Sequence, residues 1–505
     1  MSNLTFELER FARVTPCAPA LVVDSRVLTY AAVDRIVWRV AAYLYGRGVR
    51  PGAVVGHTFT DQLLHAVCML AVCRLGATVV CLPSSDPPAF RAEMARRTRV
   101  SVHLVERAPA AVDRLPSIVI HRQRLFDESV PVDLSVFVPE PDAPALLIVG
   151  SGTMGRKKLL PVSHGAMQAR TRIFRQMIDM TASDRVACLS PLDYAMANQR
   201  LFETLMLGAA FVLNVPCDAD AIATCRRERV TVLHSSVFHV VGLLDRVPGD
   251  DRPWLDFLRV LRVGSATVPD ALRQRILSDL TPNLYIRLGT NDFGPATIAR
   301  PDDIRSTPGT VGRPGPEVQL RLLRDNGEPV SPGEIGHIWL RSPGMIEAFV
   351  DDPEANAKLF RAGWFSPGDM GRLTADGQLI HCGRADDMMI FNGINVHPVE
   401  VEHAMSRHPA VRDVACLPMK SQRAQDIPVC AIAFQAGQRA SVEELMRFAH
   451  DRLGPQRPRL FAILPVIPRT PTGKLDRDAL LRQVAQVLRR PSAISAGRPG
   501  NDVHT

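Results

Sequence analysis

Apolar positions along the chain alternate between two rhythms. From 31 to 48 they recur at a spacing near 3.6, which predicts a helix with one buried face; Gly48 and the apolar run Ala53-Val54-Val55-Gly56 follow. The pattern repeats at 62–75, a helix that Gly76 stops, with 77–82 reading as a buried strand. It recurs at 201–207, Gly208 and 209–213. Strands alternating with helices in this way predict an α/β fold of helix-covered, largely parallel sheets. Between about 309 and 382 the texture changes to short strands (318–322, 338–340) and turns such as Asp325-Asn326-Gly327 and Ala375-Asp376-Gly377. After Gly383 the alternation returns, with a helix near 398–408 and strands near 412–417 and 428–434. The expected organisation is a large N-terminal domain over 1–385 containing a small β-rich subdomain at 309–382. A small α+β C-terminal domain follows over 386–490. The last stretch, 491–505, is poor in apolar residues and predicts a disordered tail.

A length of 505 residues also argues for more than one domain. The net charge of +8 comes from scattered arginines rather than a basic stripe, and only 6% of residues are aromatic. That pattern argues against a nucleic-acid partner and for attraction of small anions such as nucleotides. The 10 cysteines are spread singly and mostly lie in apolar runs, as buried thiols do in a reducing compartment; no CxxC or Cys/His cluster in the sequence suggests a zinc site. The first ten residues lack the form of a signal peptide, and no apolar stretch approaches the roughly 20 residues a bilayer requires. A cytoplasmic protein is expected.

Two loops carry candidate chemistry. The buried strand 145–149 runs into Gly150-Ser151-Gly152-Thr153-Met154-Gly155-Arg156-Lys157-Lys158. Its glycines can turn backbone N–H groups inward, beside two hydroxyls and two lysines; a phosphate cradle and a plain flexible turn both fit. The spacing is not GxxxxGK[ST]. Near the C-terminus, Pro468-Arg469-Thr470-Pro471-Thr472-Gly473-Lys474 presents a lysine from a stiff loop, either as a solvated surface charge or as a partner for carboxylate or phosphate.

The first loop resembles the S-G-[ST]-T-G-x-P-K signature of the adenylate-forming superfamily, which includes acyl-CoA synthetases, peptide-synthetase adenylation domains and luciferases. Ser151, Gly152, Thr153, Gly155 and Lys158 match; Met154 and Lys157 depart. Further stretches follow in the family's order. Gly264-Ser265-Ala266 resembles the G-G-A element along adenine. Leu288-Gly289-Thr290-Asn291-Asp292 resembles Y-G-x-T-E, with three differences: Leu288 cannot stack as a ring, Asn291 offers an amide, and Asp292 is one methylene shorter. Residues 363–369, ending in Pro367-Gly368-Asp369, resemble G-W-x-x-T-G-D. Gly383-Arg384-Ala385-Asp386-Asp387 resembles G-R-x-D-D, and 468–474 is nearly the family's P-R-T-x-x-G-K.

The resemblance implies roles for these residues. Ser151 to Lys158 would hold the β- and γ-phosphates of ATP, and Asp292 would hold Mg²⁺. Asp369 and Arg384 would reach the ribose, with Arg384 also at phosphate. Lys474 would bridge the carboxylate and the α-phosphate. Asp386 would be the hinge of the small domain, and Gly393 would line a thiol tunnel. The implied reaction makes an acyl-adenylate and pyrophosphate, then a thioester with CoA or with the phosphopantetheine of a separate carrier protein. No appended carrier domain is read in the chain.

Each of these residues also has a plainer reading. Asp369 could cap a turn and Arg384 could be a surface charge, while His164 could orient the substrate or merely start a helix. Asp193 and Tyr194 fall where the family's acyl pocket lies, and amino, aryl and short aliphatic acids all remain open. The alternative from another class is a non-catalytic nucleotide-binding relative, motivated by Met154, Leu288, Asn291 and Pro367.

Overall fold

The computed structural model describes residues 3–107, 112, 115–126, 139–150, 157–218, 220–246, 252–391, 394–420, 426–470 and 475–489. The expected tail at 491–505 lies outside them. Two large sheets organise the N-terminal part. The first runs Ser117–Val119, Val102–Val105, Val54–Thr58, Thr78–Cys81, Pro144–Gly150 and Lys158–Ser163, parallel except for the last pair. Against it lies the helix Gln62–Arg74, buried at every position after Gln62, as expected of a helix that is apolar all round. Asp61 starts it by accepting the Leu63 and Leu64 N–H groups at 2.9 and 3.0 Å.

The second sheet has nine strands. Its order is Arg313–Pro314, Gly294–Ala299, Leu284–Thr290, Val260–Gly264, Val232–Ser236, Arg185–Cys188, Ala210–Val212, Pro19–Val23 and Arg26–Thr29. The six strands from Leu284–Thr290 to Pro19–Val23 are parallel, and antiparallel strands close both edges. Parallel inner strands put their carboxyl ends along one rim, where open α/β sheets place their ligands.

A third, antiparallel sheet is built from strands between Gln319 and Arg384. The short-strand texture predicts it but misses the helix Pro353–Leu359, which Asp352 starts by accepting the Ala355 N–H at 3.2 Å. One continuous apolar core joins the three sheets, from Leu4 to Leu379.

Beyond the hairpin Met389–Phe391 and Ile394–Val396 the chain builds a separate unit. Its three-stranded sheet, Val411–Lys420, Asp426–Phe434 and Leu460–Ile463, has its own two cores. One contains Val401, Met405 and Leu445 from the helices Pro398–Met405 and Val442–Leu453; the other contains Leu480 and Val484 from Arg477–Leu488. The molecule is therefore α/β, with a large N-terminal sheet domain and a small C-terminal one. Polar contacts join the two, among them Arg407 on Asp270 at 2.5 Å. Among the described residues, no helix is long and apolar enough to cross a membrane.

Candidate active site

Asp369 and Arg384, separated in sequence, are register partners across one antiparallel pair. Arg384 Nη1 lies 3.6 Å from the Asp369 carboxylate and donates to Pro367 O at 3.2 Å, while Nη2 reaches Asp386 at 3.3 Å. Gly368, at φ +83°, makes room for the fork: a Cβ there would sit 3.0 Å from Arg384 Nη2. Asp369 is only 8% exposed, and among the described residues its carboxylate accepts no hydrogen bond, which leaves both oxygens for a ligand.

The glycine-rich segment connects the antiparallel strands Pro144–Gly150 and Lys158–Ser163. Gly150 and Lys158 are register partners, so the loop joins strand to strand instead of strand to helix. Lys158 Nζ stands 4.5 Å from the Phe349 ring centroid. Burial lowers its pKa, Asp292 and Asp352 pull it back up, and Arg384 pushes down again. Lys158, Asp292 and Arg384 therefore share one electrostatic neighbourhood. Lys157 turns away toward Phe90, 6.0 Å from its ring. Ser151, Gly152, Thr153, Gly155, Gly393 and Lys474 lie outside the described residues. The flanks of Lys474 are described: Arg469 and Leu475 form an antiparallel bridge, and Arg469 holds Asp413 at 2.8 Å.

Two carboxyl ends of parallel strands complete this region. After Val260–Gly264 the chain turns at Ser265, which takes the left-handed φ of +74°, and Ala266 packs on the core. After Leu284–Thr290 come Asn291 and Asp292. Leu288 stands opposite Thr297 and packs on the core. Burial raises the pKa of Asp292, with Lys158 among the groups that lower it; no ion pair uses its carboxylate among the described residues.

Between the helix Ala195–Met206 and these strand ends opens a cleft of about 420 Å³, counting its mouth. Its rim includes Gly264, Ser265, Gly289 and Asn291; the buried Arg200 and Arg262 line its floor, and the half-buried Arg287 reaches from the floor to Gly289. The floor follows from register: Cys188, His234 and Arg262 stand opposite one another across three parallel strands. Gly289 is required beside them, because a Cβ there would lie 2.4 Å from Gly294 O and 2.7 Å from Arg287 Nη2. Arg170, buried behind the rim, donates to Asn291 O at 3.0 Å, Gly344 O at 2.7 Å and Gln199 Oε1 at 2.9 Å.

Sequence reasoning missed Arg170, Arg200, Arg262 and Arg287. The signal that could have found two of them is a charged residue inside an apolar parallel-strand run, as in Leu261-Arg262-Val263 and Ile286-Arg287-Leu288.

Three candidates stand elsewhere. His164 is not on the cleft: fully buried, it accepts the Leu4 N–H on Nδ1 at 3.1 Å, and burial lowers its pKa to about 4. Of its two readings, this is the helix-start residue, the first after the cap Ser163. Asp193 and Tyr194 precede the helix whose next turns line the cleft. Asp193 takes the Cys81 thiol at 3.6 Å instead, and burial raises its pKa to about 6. The expectation of no Cys/His grouping holds for sequence but not for space: His57, His65 and Cys81 converge within 4.8 Å. The two ring Nε2 atoms there bond each other at 2.7 Å.

A rim of parallel-strand ends with charged side chains gathered near it is the kind of site an open α/β sheet offers a small anionic ligand. The profile of the AMP-binding enzyme family matches residues 8–349, and that of the AMP-binding enzyme C-terminal domain matches 400–474. The chain belongs to this family. It is an AMP-forming acid–thiol ligase: a carboxylic acid is activated with ATP as its adenylate, pyrophosphate leaves, and the acyl group passes to a thiol.

It is 28% identical to an indoleacetate–CoA ligase of Aromatoleum aromaticum, over 95% of this chain and 98% of that one. It is also 28% identical to a salicyl-AMP ligase / salicyl-S-ArCP synthetase of Mycobacterium tuberculosis, over 90% and 85%. The structure of the anthranilate CoA ligase AuaEII with anthranoyl-AMP superposes with a TM-score of 0.83 at 25% identity, covering 95% of this chain and 97% of that one.

Proposed function

We propose that the acid lies in the cleft with its reacting carboxylate at the rim, and that the nucleotide lies along Gly264–Ala266, Asp369 and Arg384. One observation carries this reading: the strand Leu284–Thr290 supplies Arg287 and Gly289 to the cleft and leads directly into Asn291 and Asp292. Cleft and nucleotide wall are then one surface, and the acid meets the α-phosphate where they join.

In this reading the Asp369 carboxylate accepts the ribose hydroxyls, and Arg384 is held by Asp386 and Pro367 to reach ribose and phosphate. Leu288 gives adenine an apolar contact without a ring, and the Asn291 amide takes the family's α-phosphate position. The loop from Ser151 to Lys158 holds the β- and γ-phosphates. A carboxylate oxygen of the substrate attacks the α-phosphorus, the bond to pyrophosphate breaks, and Lys474 spans carboxylate and α-phosphate as charge builds there. The small domain, bounded at Asp386, then turns and withdraws Lys474, opening the way past Gly393. A thiolate attacks the acyl carbon and AMP leaves.

Mg²⁺ fits Asp292, a half-buried hard-oxygen donor with no countercharge within ion-pair distance among the described residues. Bound there it would draw charge from the phosphate oxygens.

CoA is the proposed thiol. The two relatives named as CoA ligases support it; the one named for a carrier protein makes phosphopantetheine the competing outcome. Because Asp193 is occupied by Cys81, the structure gives no support to an amino group seated on it.

The test is pyrophosphate release with Mg-ATP over a broad panel of acids, with CoA and carrier proteins added in turn. Lys474→Ala should lower adenylate formation by about 10²–10³-fold, the usual loss of one transition-state donor. An unaffected mutant would remove the role given to Lys474. A panel on which no acid releases pyrophosphate would leave the non-catalytic relative as the better reading.

A further inference from the structure

The floor of the cleft holds more positive charge than the protein answers. Arg200 and Arg262 are 2% and 1% exposed, and Arg287 keeps part of its surface on the cleft. One acid among the described residues, Glu203, sits among them: Arg200 Nη2 engages its Oε1 at 2.5 Å while Oε2 is unpaired, and the Phe174 ring faces Arg200 and Arg262 at 4.5 and 5.9 Å. Nε and Nη1 of both Arg200 and Arg262, and Nε of Arg287, are sealed from solvent without a partner. Neither Arg262 nor Arg287 donates any side-chain hydrogen bond among the described residues. Burial lowers the pKa of all three, and the neighbouring guanidiniums lower those of Arg262 and Arg287 further. His234 cannot help, since burial and the same arginines keep it neutral. Arg170, by contrast, is satisfied by carbonyl oxygens. Buried guanidiniums persist when something pairs them, and here the protein supplies one carboxylate for three forks.

We infer that the acid substrate carries a second anionic group, a carboxylate or sulfonate, which seats on Arg262 and Arg287 at the cleft floor. This rests on the acid occupying the cleft, as proposed above. In the reading above the reacting carboxylate sits where the cleft meets Asn291 and Asp292, so the group on Arg262 is a second one. The Arg262 Cα lies two residues before that of Gly264, roughly 7 Å deeper along the strand at ~3.3 Å per residue. Arg287 starts as deep, but its guanidinium reaches back up to Gly289, where a Cβ would lie 2.7 Å from Nη2, so it spans floor and rim. A guanidinium fork matches a carboxylate or sulfonate in two parallel hydrogen bonds; the donors left open for it are Arg262 Nη2 and Arg287 Nη1 and Nη2, and its charge would offset that of the sealed nitrogens beside them.

The experiment compares matched pairs: pentanoate with glutarate, and benzoate with isophthalate and 3-sulfobenzoate. The sulfonate arm separates the two anion types. Pyrophosphate release should favour the doubly charged member by about 100-fold in kcat/KM, the scale of a desolvated charge pair. Arg262→Met and Arg287→Met should collapse that ratio toward one while raising the thermal midpoint of the ligand-free protein, because an unpaired buried charge is removed. A merely structural arginine would lower the midpoint and leave the ratio alone.

Calorimetry of glutarate, isophthalate and 3-sulfobenzoate without ATP gives a readout independent of turnover. Arg262→Lys, keeping charge but losing the fork, should bind them at intermediate strength and serves if the Met variants do not fold. Release with monoacids alone, or equal ratios in wild type and variants, overturns the second-anion site and leaves the ligase reading standing. Diacid binding without release from any acid does the reverse. Neither binding nor release overturns both.

Discussion

In the nucleotide wall proposed above, here the mouth of the site, Arg384 stands across a strand pair from Asp369 and reaches Asp386; at the floor, Arg262 stands beside Arg200 and Arg287 with Glu203 as their one acid among the described residues. The mouth pairs its charges within the protein and near solvent, so a nucleotide seated as proposed would exchange partners there. The floor leaves its charge unbalanced and dry, so an incoming anion completes it. The first arrangement suits a ligand common to a whole family, and the second suits the part of the substrate that differs between members. The Coulomb energy of a pair grows as the surroundings lose water, so the floor should discriminate more sharply than the mouth.

That contrast can be broken most severely at Glu203. Glu203→Gln should destabilise the protein by about 3–5 kcal/mol in urea unfolding at neutral pH, since it leaves Arg200 buried without its acid. A loss below about 1 kcal/mol would mean that the floor arginines are compensated elsewhere. At the mouth, Asp369→Asn keeps the shape and removes the charge. The KM for ATP should rise about 10–100-fold, the loss expected when charge-assisted hydrogen bonds go. Stability should change little, because Arg384 retains Asp386.

Between the two lies Asp193, whose effect is on pH dependence. Burial raises its pKa to about 6, so between the ordinary carboxylate value and 6 the folded state holds more protons than the unfolded chain. Stability should therefore fall as pH rises from about 4 to 6, by on the order of 2 kcal/mol. Asp193→Asn should flatten that window, and a wild-type profile that already rises through it would refute the buried placement. The smallest effect belongs to the rim. Ser265 takes a left-handed φ of +74° where the family motif has glycine. Ser265→Gly should therefore raise stability by about 0.5–1 kcal/mol, read from the thermal midpoint.

Legibility in the sequence followed contiguity. Asp369 and Arg384 were found because each sits in a short stretch whose turn chemistry constrains its neighbours, such as Gly368 before Asp369. Register then placed them face to face, a pairing that neither stretch contains. The helices 62–75 and 31–48 were legible because a 3.6 rhythm is a local property; the helix Pro353–Leu359, two turns long and without a buried residue, left no such rhythm. His164 was ambiguous because an imidazole after a capping serine suits either a helix start or a site, and only the Leu4 N–H on Nδ1 settles which. His57, His65 and Cys81 showed no cluster because parallel strands join residues that lie far apart in the chain.

The sequence by itself determined the alternation of helix and strand, the break in texture near 309, and the ordered motifs that mark an acid-activating ligase. These are local facts, set by side-chain period and backbone freedom. The tertiary structure alone decided that Arg200, Arg262 and Arg287, each from a different element, meet at one floor. It also decided that Asp193 turns to Cys81 and that Lys158, Asp292 and Arg384 share a neighbourhood. Those meetings depend on strand order and register, and the charge of a site depends on which residues a fold excludes from water together.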